Sequence, residues 1–262
     1  VVKVRIDLHI HSCLSPCASL EMSPRAIVRR ASEAGLAAVA LTDHNSARNH
    51  PPFARLCRAA GILPIFGIEV NTREEAHVLA LFAEIDDAAE LGDEIYRLLP
   101  DYPNDPESLG DQVYVDEDGN ILGTVDRYLG NSADIGLDEL GERILSRGGM
   151  FIPSHIDRPF FSVVSQLGFL PDLPYTAVEL VDPSNRHLAV TGGRIITGIY
   201  TSDAHYPDDI GRRSTVLEID GGRPAADGTA AGFTSGGTPP VPPDFAGIRS
   251  AVEAGKTVYH RS

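Results

Sequence analysis

The sequence predicts an α/β fold: a largely parallel sheet under covering helices, in one domain of barrel size. Three observations carry this. The chain has 262 residues, enough for one α/β barrel with a sizeable core. Its 42% hydrophobic and 23% charged content is that of a globular domain. Short apolar runs alternate with helix-like segments, the first two of which are opened by proline and closed by glycine.

Taken in order, "VVKVRIDLH" (1–9) alternates weakly and reads as a strand. "SPRAIVRRASEAG" (23–35) is a helix, with Ser23 as N-cap, Pro24 in the first turn and Gly35 as the stop. "AAVALTDH" (37–44) is a buried strand, and "PPFARLCRAAG" (51–61) a second helix. "ILPIFGIEV" (62–70) and "EAHVLALF" (75–82) are further strands.

The composition then changes. Residues 84–118 hold 13 acidic side chains and one basic one, Arg97. The stretch 84–136 is read as an acidic excursion: an inserted subdomain or lid, or a solvated surface loop with a short helix. Alternation resumes with a helix at 136–149 and a strand at 150–155. Strands follow at 174–182, 194–205 and 213–220, with polar residues at their C-terminal ends. Residues 221–243 are Gly/Pro/Ala-rich and are expected to form a flexible loop. A helix at 244–257 ends the series. No internal repeat is present.

The formal net charge of −15 argues against a broad basic nucleic-acid footprint. Bound divalent cations would reverse the sign locally, so phosphorylated substrates stay compatible with it. No apolar run approaches the ~18–20 residues that cross a bilayer. The start lacks the apolar segment of a secretory signal. Three cysteines, Cys13, Cys17 and Cys57, are too few for a disulfide framework. A reducing, cytoplasmic setting without a membrane partner is the expectation.

Metal-competent residues fall where the strands end. Of nine histidines, six lie in or just after strand-like runs: His9, His11, His44, His77, His155 and His205. Glu69 ends another run, and Asp203 lies two residues before His205. In a strand, residues i and i+2 share a face, so Asp7, His9 and His11 are expected to point one way, and Asp203 and His205 likewise. Sites in α/β sheets form beyond the C-terminal strand ends. Alone, an HxH pair is weak, and "SDAH" is an ordinary turn. Together they predict a polynuclear site whose nitrogen and oxygen donors suit Zn²⁺, Mn²⁺ or Fe²⁺.

"DLHIHS", "TDHN", "GIEV", "AHVLAL", "PSHIDRP" and "TSDAH", in this order, resemble the PHP (polymerase and histidinol phosphatase) domain family, over about residues 5–206. The resemblance implies a single distorted (β/α)7 barrel over 1–262, with the acidic insertion after the fourth strand. It also implies a trinuclear centre in which two or three divalent ions are bound. His9, His11, Glu69 and Asp203 would hold the first ion. Glu69 would bridge to a second, held also by His77 and His155. His44 and His205 would hold a third. Asp7 would orient a histidine, and Asp43 would play a similar part. One departure stands out. Many members carry an aspartate five residues after the second histidine, and here that position is Pro16. Cys17 or Glu21 is left to fill the gap, and Glu21 is favoured because a carboxylate preserves the oxygen chemistry.

The activity implied is hydrolysis of a phosphate ester by metal-activated hydroxide, with Glu69 and Asp203 at its centre. Arg158, Arg186, Arg212 and Arg213 are candidate phosphate clamps, and His187 a candidate acid for the leaving group. The expected substrate is a nucleotide, a short oligonucleotide end or a small phosphorylated metabolite, and extended nucleic acid is not expected. Two alternatives are a metal-dependent C–N bond hydrolase and a non-catalytic metal-binding module.

Overall fold

A computed structural model describes residues 1–219 and 243–262. The expected flexible loop at 221–243 therefore lies outside the described residues, except for Pro243.

The chain opens with β1 (Val2–Ile10), α1 (Pro24–Glu33), β2 (Ala38–Leu41), α2 (His50–Ala60) and β3 (Leu63–Asn71). The three strands pair in parallel, β1 with β2 and β2 with β3. The helix boundaries follow the expected chemistry. Ser23 Oγ accepts from the Ala26 N–H at 3.3 Å, and Pro24 opens α1. Gly61, at φ +70°, takes the left-handed conformation that ends α2.

β4 (His77–Phe82) breaks the pattern. Residues 72–76 are too short a link for a crossover helix, so β4 turns back antiparallel to β3. This reversal brings the first residue of β4, His77, to the rim where β1 and β3 end. α3 (Ile85–Leu98) then covers β3 and β4, burying Ala88, Leu91 and Ile95. α4 (Pro106–Leu109) and the hairpin of β5 (Val113–Val115) and β6 (Ile121–Thr124) follow. The acidic stretch thus begins as an ordinary covering helix. Its later part packs on the segment after β1: the Val113 N–H donates to Cys13 O at 3.2 Å. A Cβ at Gly110 would lie 2.2 Å from Pro16 O, so this contact requires glycine.

α5 (Leu137–Ser146) leads to β7 (Met150–Pro153), which pairs antiparallel with β4. α6 (Val163–Leu167), β8 (Val178–Glu179), β9 (Val190–Thr191), β10 (Arg194–Ile195) and β11 (Gly198–Ile199) come next. β8 and β11 pair in parallel. β12 (Arg213–Ile219), α7 (Phe245–Glu253) and β13 (Thr257–Arg261) complete the described chain.

The main sheet runs β13-β12-β1-β2-β3-β4-β7 and curls into a half-barrel. β8 and β11 lie toward its two ends. The Thr176 N–H donates to Phe151 O at 2.9 Å beside β7, and the His11 N–H donates to Ala204 O at 3.0 Å beyond β1. The sheet is mixed, not largely parallel, and the regular (β/α)7 succession is broken at β3–β4, where no helix intervenes. Ile6, Leu8, Ile65, Leu79, Leu81 and Ile152 fill the inside of the curl. Val39, Leu41, Phe66, Ile68 and Phe151 pack outward under the helices.

One irregularity decides where the histidines point. Asp7 pairs with Val39 but Ile10 with Leu41, so β1 carries one extra residue between them. Such a bulge reverses the alternation of faces. Before it, Ile6 and Leu8 face inward; after it, Ile10 packs outward. His9 and His11 therefore turn to the inner face, while Asp7 does not share it. The expectation that Asp7, His9 and His11 point one way is corrected by this extra residue.

Candidate metal centre

Glu69 is the hub of the inner rim. It lies near the end of β3, only 1% exposed. Its Oε1 is 3.3 Å from His9 Nε2, 3.2 Å from His77 Nδ1 and 3.4 Å from His155 Nε2. Its Oε2 is 3.2 Å from His11 Nε2 and 3.3 Å from His44 Nδ1. Asp203 faces the same point. Its Oδ1 is 3.2 Å from His9 Nε2, 3.3 Å from His11 Nε2 and 3.7 Å from His205 Nδ1. Residues 9, 11, 44, 69, 77, 155, 203 and 205 are thus brought together from β1, β3, β4 and the loops after β1, β2, β7 and β11.

Local backbone is strained to achieve this. His155 and Asp203 have φ of +29° and +51°, which side-chain-bearing residues seldom adopt. Arg213 props the second of these segments, donating from Nε to Thr201 O at 3.2 Å and from Nη2 to Ser202 O at 2.9 Å.

The donor set fits divalent cations. Glu69 Oε1 and His44 Nδ1 are buried without a hydrogen-bond partner among the described residues. The Nε2 atoms of His9 and His11 lie 3.0 Å apart. Buried groups of this kind are costly unless something satisfies them, and a cation satisfies nitrogen and carboxylate donors at once. Donor atoms within 4.8 Å of one another form three groups: His9–His11–Glu69, His44–Glu69–His77 and His11–Cys17–His44–His205.

The electrostatics agree. Burial opposes ionisation of Glu69, yet His77 and His9 hold its carboxyl well below the usual range. Burial likewise opposes ionisation of Asp203, and His9 and His11 outweigh it. Against burial, Asp203 and Glu69 push the His11 imidazole up to about 9. Burial, reinforced by His11, pushes His205 down to about 4.

Two expected residues stand elsewhere. Glu21 is exposed and borders a surface cavity with Arg29, Arg30 and Tyr206. Its neighbour Met22 is fully buried, and that anchoring turns Glu21 outward. Cys17, the other candidate at the gap left by Pro16, supplies the sulfur of the His11–His44–His205 group. His187 is exposed on the turn 183–188, with Nδ1 3.4 Å from Ser184 O, and lines neither cavity beside the centre. Arg158 does reach it: Nη1 lies 2.6 Å from Asp203 Oδ2.

The supporting shell held a residue the sequence reading missed. Glu179, at the end of β8, contacts His9 Nδ1 through both oxygens at 3.0 and 3.1 Å. It also accepts from the His155 N–H at 2.7 Å and from the Thr201 hydroxyl. A carboxylate in the apolar run "AVEL" was the available signal. Asp43 supports His11 through Ser15, whose Oγ donates to Asp43 at 2.8 Å and lies 2.9 Å from His11 Nδ1. Asp7 does not orient a histidine: it accepts the Ser202 and Gly211 N–H groups, each at 3.0 Å.

A family model for the PHP domain matches residues 7–136, which carry the first four of these histidines and Glu69. Over this stretch the chain is matched to the PHP domain. Among curated proteins, this PHP domain is 34% identical over 113 residues to a PolC-type DNA polymerase III from Thermotoga maritima. That match covers 43% of this chain and 8% of the polymerase, so the chain spans less than a tenth of that relative. Among solved structures, the lesion-specific endonuclease Q from Pyrococcus furiosus has a TM-score of 0.65 at 18% identity, covering 98% of this chain and 58% of that one. An endonuclease Q bound to a 27-mer duplex with an abasic lesion at its active site has a TM-score of 0.64 at 20% identity, covering 97% and 57%. A two-domain protein from Bacteroides vulgatus with a predicted PHP-like metal-dependent phosphoesterase has a TM-score of 0.55 at 17% identity, covering 99% and 65%.

The duplex complex overturns the expectation that extended nucleic acid is excluded. That expectation rested on net charge, which is a sum over the whole chain. A cleft that gathers divalent cations has its own local sign, and a protein of this fold accommodates a duplex. No described helix is long and apolar enough to cross a membrane.

Proposed function

We propose that this PHP domain is a metal-dependent phosphoesterase. The PHP domain match and the clustered donors support a metal-dependent hydrolase, and the phosphate-ester specificity is our reading. The observation that carries it is the buried Glu69 carboxylate with five imidazole nitrogens within 3.4 Å. In this reading His9, His11, Glu69 and Asp203 hold one ion, and Glu69, His77 and His155 a second. His44, His205 and Cys17 hold a third. Bound divalent ions would supply a water of lowered pKa and positive charge beside the phosphoryl oxygens.

The chain's own groups do the rest. Glu179 fixes the His9 ring, and Ser15 fixes His11, so the imidazoles present a set lone pair without reorganising. Arg158, partly exposed beside Asp203, offers a guanidinium fork for phosphoryl oxygens. The walls of the half-barrel bury most of the donors.

The test is elemental analysis of the purified protein together with phosphate release from a panel of esters. Mn²⁺- or Zn²⁺-loaded protein is expected to release phosphate, and His9→Ala to abolish the release. Release that survives both His9→Ala and chelation would exclude the reading. An amide panel run in parallel separates C–N hydrolysis, and a metal-loaded protein inert on both panels marks a non-catalytic module.

A further inference from the structure

The segment after β7 carries three consecutive apolar residues, Pro159, Phe160 and Phe161, at the mouth of the donor cluster. Phe160 is 72% exposed and Phe161 46%. A single exposed phenyl ring is ordinary; here the neighbouring Phe161 holds the segment in place at a conformational cost. Phe161 has φ +54°, an outlier for a bulky residue. Its ring stacks on His77, with centroids 4.9 Å apart and planes 16° from parallel, and its carbonyl accepts the His77 N–H at 2.9 Å. The segment is pinned on both sides. The Arg158 N–H donates to His155 O at 2.8 Å, and Ser162 Oγ donates to Arg158 O at 2.8 Å while capping α6.

Phe161 thus spends one face of its ring on a metal-donor histidine. Phe160 makes no ring stacking contact among the described residues, yet it lines the same cavity as Glu69, His77, His155, Arg158 and Asp203. That cavity has a volume of about 320 Å³, at the small end of ligand sites, which run from roughly 300 to 1,000 Å³. A ligand that reaches Arg158 and the donors through this cavity has this ring on one wall.

We propose that Phe160 is a stacking platform for a nucleobase of the substrate, next to the phosphoryl group held at Arg158 and the donor cluster. This rests on the phosphoesterase reading and narrows it to substrates bearing a flat aromatic base. A phenyl ring has no hydrogen-bonding group, so the platform tolerates any base and reads none. The base belongs to a free nucleotide or to a strand end, and the test separates the two.

The chain contains no tryptophan, so Phe160→Trp introduces a single indole at the proposed platform. Its fluorescence is read on rapid mixing with thymidine 5′-phosphate, a 5′-phosphorylated thymidine pentamer and ribose 5-phosphate. Saturable quenching by the thymine ligands, and not by ribose 5-phosphate, is expected. The tighter thymine ligand then identifies the source of the base. No saturable quenching by either, or equal quenching by ribose 5-phosphate, overturns the platform. In parallel, Phe160→Ala is expected to lower kcat/KM for thymidine 5′-phosphate about tenfold relative to ribose 5-phosphate, the usual scale of losing one stacked base. An unchanged ratio also overturns it. Quenching without turnover of any ester by the wild type would remove the phosphoesterase reading and leave the platform. Turnover without quenching would do the reverse.

Discussion

At the scale of single residues, Cys17 places a sulfur beside nitrogen donors of the cluster. Oxygen donors leave metal choice open, whereas a thiolate favours zinc or iron over manganese. The sulfur lies among donor atoms of His11, His44 and His205. Without an ion, burial and the nearby Glu69 and Asp203 carboxylates push the Cys17 thiol up. A bound cation reverses that logic by stabilising the thiolate. Cobalt substitution reads this directly. Co²⁺-loaded protein is expected to show a thiolate-to-metal charge-transfer band in the near ultraviolet that Cys17→Ser removes and Glu21→Gln does not. A band that persists in Cys17→Ser would exclude Cys17 as the ligand.

At the scale of elements, α2 is fastened to the sheet by its first residue. His50 is fully buried, and its Nε2 lies 3.2 Å from Leu41 O at the end of β2 and 2.9 Å from Gly67 O in β3. Burial pushes this imidazole down to about 4, below the ~6.5 of an unfolded chain. The neutral ring is therefore the folded form. Its contribution is complete above pH ~6.5 and is lost as pH falls from there toward about 4, because the unfolded chain binds the proton first. Complete loss would amount to about 3 kcal/mol. Urea unfolding at pH 7 and pH 4.5 tests it. Wild type is expected to lose about 2 kcal/mol more than His50→Gln over that interval, since the amide can donate to the same carbonyls without titrating. Equal losses would place the pH sensitivity elsewhere.

At the scale of the whole molecule, the rim collects charge that only an ion balances well. Donors from β1, β3, β4 and four loops meet there, so an ion held by them would tie together distant parts of the fold. Binding to the native state alone stabilises it by mass action, about 2.7 kcal/mol when the free ion is at 100 times its Kd. Chelation is expected to lower the Tm by several degrees, and Zn²⁺ or Mn²⁺ to restore it. Glu69→Gln is expected to lower the Tm and to abolish the response to metal. A Tm indifferent to chelator in metal-loaded wild type would mean that the donors do not hold an ion.

The sequence by itself determined the candidate donors and the first helices. Nitrogen and oxygen ligands repeated at strand ends, and the Ser–Pro opening and glycine stop of α1, are local chemistry that a linear reading captures. The mixed sheet, the inward turn of His9 and His11, and the placing of Cys17 rather than Glu21 beside the histidines were decided only in three dimensions. A five-residue link reverses β4, one extra residue in β1 swaps the faces of its side chains, and the buried Met22 sends Glu21 to solvent. Each outcome depends on pairing register or on packing against residues far away in the chain, and neither leaves a mark in residue spacing. Glu179 was missed for the same reason: its role exists only because β8 is brought beside β1.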